Sequence, residues 1–302
     1  MSKTNEELLL YYKRSNKERR AKIVTKAGFA NEADYLKSLL HDDAPSSPAA
    51  AKLFKKNDLS PVVEEDAGML DQVIAFDTTG SMSSYIAAVK QHVQELIPKL
   101  FSENKNLRIK IIAFGDYCDM ATKTTFGRAY QESTLTDNQN ELIKFVQNAQ
   151  NTGGDDSDEF YELVLHKVIK ETPWRYGSRR AMLLIGDCEP HPVGYTYGDR
   201  VIKNQIDWRE EAKKAAAIDL QIDTLSCGTR AVKAFYQPLS KMTNGVNIPF
   251  SSSSKTQHAV YAATSVRGSS GSKMAFTRGF DAAMDSGDEE LIGTYKSLSK
   301  KL

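Results

Sequence analysis

Cysteine is scarce: three in 302 residues, at Cys118, Cys188 and Cys227, with no C-x-x-C pair. This spacing excludes a disulfide framework and the paired-ligand pattern of a structural zinc site. A reducing, intracellular (cytoplasmic) compartment is the expected setting. Long apolar runs are also missing, and the mean hydropathy is −0.46, so no membrane span is expected. The start, Met1-Ser2-Lys3-Thr4-Asn5-Glu6-Glu7, is polar and is not expected to act as a secretory signal. Charge of one sign is absent as well. Forty Lys and Arg face 39 Asp and Glu, a net charge of +1 that leaves no overall field for nucleic acid or anionic lipid. The G-x-x-x-x-G-K-[ST] loop, the G-x-G-x-x-G fingerprint and the G-x-S-x-G elbow do not occur.

What the chain does have is a globular composition, 40% hydrophobic and 26% charged. Residues 4–40 read as two helices parted near Gly28, the second started by Asn31, with Ala33, Leu36, Leu39 and Leu40 on one face. The stretch Asp42-Asp43-Ala44-Pro45-Ser46-Ser47-Pro48 reads as a linker. Residues 1–70 are therefore expected to form an N-terminal helical extension and linker. From Asp71 short apolar runs alternate with amphipathic segments. Val73–Phe76, Ile109–Phe114, Ala181–Ile185, Ile222–Cys227 and Val246–Phe250 read as strands, with a short one within 123–131. Between the first two, Ile86, Val89, Val93, Leu96, Ile97 and Leu100 recur at helical spacing. Strands without polar alternation are buried on both faces. The expected fold over 71–267 is thus α/β: a doubly wound, mainly parallel sheet flanked by helices. Residues 268–302 are expected to be a polar C-terminal tail.

In such a sheet ligands collect at the carboxyl ends of the strands, where Asp77 and Asp187 are expected. Asp77-Thr78-Thr79-Gly80-Ser81 places a carboxylate and two hydroxyls at alternate positions on a turn that opens a helix. Asn151-Thr152-Gly153-Gly154-Asp155 is a glycine turn with a hydroxyl and a carboxylate, and Gly186-Asp187-Cys188-Glu189-Pro190-His191 follows the third main strand. Oxygen ligands that are mostly neutral suit a hard divalent cation of the Mg²⁺ class, with Mn²⁺ or Ca²⁺ as alternatives. With few carboxylates around it, the ion keeps positive charge and accepts one more from a partner. The competing explanation is that Thr79 and Ser81 cap the helix and Asp187 merely ends a strand. His191 reads as a structural loop histidine.

These segments resemble the von Willebrand factor A (vWA) family and its metal-ion-dependent adhesion site, whose pattern is Asp-x-Ser/Thr-x-Ser, a distant Thr and a distant Asp. The stretches Phe114-Gly115-Asp116-Tyr117-Cys118-Asp119 and Leu184–His191 are similar to the vWA branch found beside α-kinase domains. Cys188 and Glu189 beside Asp187 depart from the pattern. The resemblance implies that Asp77, Thr79, Ser81, Thr152 and Asp187 hold Mg²⁺ directly or through water, with Asp155 accepting hydrogen bonds behind them. It also implies a non-enzymatic adaptor or assembly subunit, cellular or viral, that binds a protein partner through the partner's Asp or Glu. Two other functions compete. A Mg²⁺-dependent phosphohydrolase would use Asp77 as nucleophile, but its general acid would stand at position 79, a threonine here. A nucleic-acid scaffold would use Lys13, Arg14, Lys17, Arg19 and Arg20 beside Tyr11 and Tyr12.

Overall fold

The computed structural model describes residues 20–21, 24–25, 30–32, 34–36, 68–121, 128–197, 202–268 and 270–301. The chain divides into two compact units, 1–67 and 68–302. In the first unit, the Asn31 side chain accepts from the Asp34 N–H at 2.9 Å, capping a helical stretch. Lys13, Arg14, Lys17 and Arg19 lie outside the described residues. Arg20 is helical, and its guanidinium stands 4.0 Å from Glu32.

The second unit is built on six strands: β1 (Leu70–Asp77), β2 (Leu107–Phe114), β3 (Tyr130–Glu132), β4 (Arg179–Gly186), β5 (Leu220–Cys227) and β6 (Asn247–Phe250). Their order is β6-β5-β4-β1-β2-β3, parallel throughout except for β3, which runs antiparallel to β2 at one edge. The main helices are α1 (Ser83–Glu103), α2 (Tyr117–Ala121), α3 (Gln139–Asn148), α4 (Tyr161–Glu171), α5 (Trp208–Ala217), α6 (Gln237–Met242), α7 (Thr256–Arg267), α8 (Ser270–Ser286) and α9 (Glu289–Ser299).

The doubly wound arrangement follows from the unbroken apolar strands. All eight residues of β1 are buried. Alternate side chains feed two separate cores, Ile74 and Phe76 into one and Val73 and Ala75 into the other. The first core takes Ile86, Val93, Leu96, Ile97 and Leu100 of α1, together with α7. The second takes Tyr161, Val164 and Val168 of α4 with Trp208 of α5. The central strand is therefore clamped from both sides and both edges.

The segment 268–302, expected as a polar tail, instead forms α8 and α9 and adds Phe276, Tyr295 and Leu298 to the first core. Its average polarity conceals an apolar stripe at helical spacing, which only a partner surface makes productive. Asp288 starts α9 by accepting from the Leu291 N–H at 3.2 Å.

The two ends of β1 differ in how they hold charge. At the amino end, buried Asp71 accepts from Arg108 Nε at 3.1 Å, Arg175 Nε at 2.8 Å and Ser178 Oγ at 3.0 Å. Burial raises its pKa, but the Arg108 and Arg175 bonds outweigh this and hold the carboxyl below its ordinary value. At the carboxyl end, Asp77 has no such cation.

Because Phe276 is fully buried, Phe276→Ala in the full chain should cost about 3–5 kcal/mol by urea denaturation. Exposed Met274→Ala on the same helix should stay within about 0.5 kcal/mol. Equal, negligible effects would mean that α8 does not belong to the core.

Candidate functional site

Three loops meet over the carboxyl end of the sheet: one follows β1, one joins α3 to α4, and one follows β4. The first begins at Asp77, which is 0% exposed. Its Oδ1 accepts from the Thr79 N–H at 2.8 Å and the Thr79 hydroxyl at 2.7 Å, and its Oδ2 accepts from the Tyr161 hydroxyl at 3.0 Å. Thr79 precedes a single 3₁₀ turn, Gly80–Met82, yet its side chain makes no capping bond to it. The hydroxyl turns back to Asp77, so capping does not account for Thr79. Ser81 is exposed.

The second loop is stitched to the first. The Thr78 hydroxyl donates to the Phe114 carbonyl at 2.7 Å and lies 2.9 Å from Thr152 Oγ1, while the Thr152 N–H donates to the Thr78 carbonyl at 3.0 Å. With the Thr78 proton spent on Phe114, Thr152 is the donor in the hydroxyl pair. The Gly153 N–H donates to Asp119 Oδ1 at 2.8 Å. Gly154 turns the chain with φ +66°, a conformation that favours glycine, and its Cα passes against the Glu159 carboxylate. Glu159 is 2% exposed, and its Oε2 is buried with no hydrogen-bond partner among the described residues. Asp155 is exposed and accepts from the Tyr197 hydroxyl at 2.6 Å.

The third loop carries Asp187, half-buried, whose Oδ1 accepts from Cys188 Sγ at 3.2 Å. Here Tyr161 acts as a hub. Its hydroxyl donates to Asp77 and accepts from the Tyr236 hydroxyl at 3.0 Å and the Cys188 N–H at 3.4 Å. Gly186 is needed at this point, since any Cβ there would strike the Tyr161 hydroxyl.

The loops enclose a cleft of about 500 Å³ lined by Thr79, Ser81, Gly153, Gly154, Asp156, Glu159, Asp187, Cys188, Cys227 and Arg230 among others. Thr79, Ser81 and Asp187 thus share one cavity. Asp77 lies within reach of it: one oxygen of Asp77, one of Glu159 and Cys188 Sγ fall within 4.8 Å of one another. Thr152 and Asp155 are not part of this lining. Thr152 is held against Thr78, and Asp155 stands outside with Tyr197.

Charge in the cleft is unbalanced. Burial pushes Asp77 up to about 7, against the hydrogen bonds from Thr79 and with repulsion from Asp187. Burial, then repulsion from Asp77 and Asp116, pushes Glu159 up to about 10. Arg230 is the cation among the described lining residues, and it reaches Asp158 at 3.4 Å rather than Asp77 or Glu159. A buried carboxylate oxygen without a donor, Glu159 Oε2, beside several other carboxylates, fits a divalent cation. Mg²⁺ placed here would be held by Asp77, Thr79, Ser81 and Asp187, and would supply the positive charge that the side chains lack.

His191, expected to be a structural loop histidine, is buried. It is 1% exposed, its Nε2 lies 2.6 Å from Asp116 Oδ1, and its ring stacks on Tyr195 at 3.7 Å. The His191 backbone N–H donates to Glu162 Oε2 at 3.2 Å, and burial pushes the Glu162 carboxyl up to about 7.

Sequence reasoning missed Glu159, Tyr161 and Tyr236. Tyr161 and Tyr236 sit at apolar helical positions, where an aromatic reads as core, and the hydroxyl's role appears only once β1 and β4 are paired. In metal-free protein, Tyr161→Phe should cost about 1–3 kcal/mol, because it strips a buried donor from Asp77. Tyr236→Phe should cost less, since Tyr161 can still donate to Asp77. Urea denaturation showing no loss for Tyr161→Phe would contradict the hub.

Comparisons with known proteins bear on the fold and the family. A profile described as von Willebrand factor type A domain matches residues 71–266. A protein of Acanthamoeba polyphaga mimivirus, described as an ariadne-like RING finger protein, is 22% identical over 237 residues, covering 76% of this chain and 22% of that protein. The chain thus spans about a fifth of the length of that curated relative. Among solved structures, the pilus adhesin SpaC of Lactobacillus rhamnosus GG in its open conformation is 13% identical with a TM-score of 0.50, covering 66% of this chain and 30% of that one. An aerotolerance-related membrane protein from Bacteroides fragilis is 19% identical with a TM-score of 0.43, covering 65% and 98%. No helix among the described residues is long and apolar enough to cross a membrane. Von Willebrand factor A domains are generally protein-interaction modules, mostly without enzymatic activity, and commonly bind a divalent metal ion. The matched profile covers well over half of the sequence, and the chain belongs to the von Willebrand factor type A domain family.

Proposed function

We propose that this protein is a Mg²⁺-dependent recognition module, an adaptor or assembly subunit that captures an acidic side chain of a partner protein through a bound metal. The observation that carries this reading is the shared cleft, in which Thr79 and Ser81 from one loop and Asp187 from another face the same 500 Å³ cavity beside uncompensated buried carboxylates. In this reading Asp77, Thr79, Ser81, Thr152 and Asp187 form a metal-ion-dependent adhesion site, holding the ion directly or through water. Asp155 is an outer acceptor. The motifs around Phe114 and Leu184 support a place in the branch found beside α-kinase domains.

The physical argument for an acidic partner is one of coordination number. Mg²⁺ demands six oxygen ligands, and the side chains of the cleft supply only some of them, leaving water in the remaining positions. A carboxylate arriving from outside replaces one of these exchangeable waters and completes the shell. Held in a partly dry cleft, that bond is stronger than a surface ion pair and depends on the metal. A reducing, intracellular site of action is part of the proposal.

Mg²⁺ at about a hundred times its dissociation constant should add about 2.7 kcal/mol of stability. That corresponds to a rise in melting temperature of about 5–10 °C for a unit of this size. Asp77→Asn, which keeps an acceptor for Thr79, should lose most of the rise. Equal shifts in wild type and variant would contradict the metal site. A bound partner should be released by EDTA and by a free carboxylate in excess, and retention under both would place recognition elsewhere.

A further inference from the structure

None of Asp116, Glu162 and His191 lines the cleft, yet the three form a second cluster of ionisable groups, 0%, 0% and 1% exposed. His191 Nε2 lies 2.6 Å from Asp116 Oδ1. Glu162 accepts from the His191 backbone N–H through Oε2 and from the Tyr117 hydroxyl through Oε1, at 2.8 Å in the second case. The cluster ties two of the loops together. His191 belongs to the third loop, and Asp116 stands just before α2. The Asp116 N–H donates to Asp119 Oδ2 at 3.1 Å, and Asp119 Oδ1 takes the Gly153 N–H of the second loop. The Asn204 side chain donates to the His191 carbonyl at 3.1 Å and fixes the backbone there.

A count of protons decides which state this cluster can hold. Two carboxyl groups and one imidazole are neutral together only with two protons bound, one making His191 an imidazolium against the Asp116 carboxylate, the other on Glu162. Loss of both leaves two buried negative charges and no cation, a costly state in a dry site. Among the described residues His191 is the one cationic group paired with Asp116 or Glu162. The other ionisable groups around it are Tyr117 and Cys118 of α2, Asp156 of the second loop, Asp158, and Glu189 and Tyr195 of its own loop. Asp207 and Arg209 face it from α5 across a shared cavity, but Arg209 lies over the Trp208 ring at 4.4 Å. Burial lowers the His191 pKa, yet the hydrogen bond and charge of Asp116, then Glu162, outweigh this and hold it above its ordinary value. His191 Nδ1 has no hydrogen-bond partner among the described residues, so those charges alone keep its proton.

We propose that Asp116, Glu162 and His191 form a two-proton lock that pins the second and third loops together near and below neutral pH and frees them as pH rises. The lock rests on the reading of the cleft as a recognition site, whose walls these loops form, and adds proton control to it. Both groups act in the same direction. The stability that His191 contributes is whole below the ordinary imidazole value of 6.5 and is lost as pH climbs through its higher folded value. Buried Glu162 keeps its proton up to about 7, whereas a freed carboxyl releases it near 4.5, so rising pH again favours open loops. Each retained proton lets the opening equilibrium rise by up to about tenfold per pH unit.

Hydrogen exchange of the metal-free full chain tests the lock. Protection over residues 151–158 and 187–197, corrected for intrinsic exchange, should fall in the wild type between about pH 5.5 and 8.5. Glu162→Gln keeps an acceptor for Tyr117 but has no proton to lose, so its protection should fall less steeply, by up to about tenfold less per pH unit. His191→Gln should start with low protection and change little. Asp77 and Glu159 titrate in the cleft as well, and a slope that survives in both variants is theirs. Protection independent of pH in the wild type, or slopes unchanged in both variants, overturns the lock. If His191→Gln does not fold, NMR titration of the His191 ring in the wild type decides, and a midpoint at or below 6.5 overturns the lock. Because no metal is present, the outcome is separate from Mg²⁺ binding: flattened slopes in a protein that Mg²⁺ does not stabilise would keep the lock and remove the metal site.

Discussion

A carboxylate removed from water needs a cation or a full set of donors, and the Asp77 carboxylate at the tip of the central strand has only the second. Thr79 supplies two hydrogen bonds and Tyr161 a third. Everything around the cleft follows from keeping that group buried. The Thr79 hydroxyl is drawn back from the helix it precedes, Gly186 leaves room for Tyr161, and Tyr236 and the Cys188 peptide hold Tyr161 in place. The donors orient the carboxylate without neutralising it, which suits a group meant to face a cation.

The opposite end of the same strand shows what neutralisation looks like. Asp71 is equally buried, but two arginines and a serine close round it, and its pKa is lowered rather than raised. One strand thus carries a satisfied carboxylate at its amino end and a cation-seeking one at its carboxyl end. Between them the apolar residues of β1 feed both cores, so the distance between the two ends is fixed by packing on each face. The register pairs Phe76 with Ile185, setting the first and third loops over neighbouring strands.

Much of this was legible in the sequence, for reasons that can be named. Unbroken apolar runs such as Ile109–Phe114 mark strands covered on both faces, and the doubly wound sheet follows from them. Asp77, Thr79, Ser81 and Asp187 stand next to such runs, where the chain must turn at the carboxyl end of the sheet, so their neighbouring placement could be read without coordinates. Glu159 could not be read in this way. It depends on the left-handed turn at Gly154 and on a carboxylate being buried, which local sequence does not announce. The residues of α8 and α9 were hidden by average polarity, since Phe276 on α8 and Tyr295 and Leu298 on α9 fall on buried faces only when the helical period is imposed on each segment. Thr152 shows a further limit. Its place in the order of motifs was clear, but its hydrogen bond to Thr78 is a matter of loop packing.

The claim on which the account turns is that loops from separate strands share one cation. Crystals soaked with Mn²⁺ and measured at a wavelength where the ion scatters anomalously test it most directly. The account predicts a strong anomalous peak inside the cleft, within coordinating distance of oxygens from Asp77 or Asp187 and from Thr79 or Ser81. A cleft without a peak, with Mn²⁺ found only at exposed carboxylates such as Asp155, would contradict it.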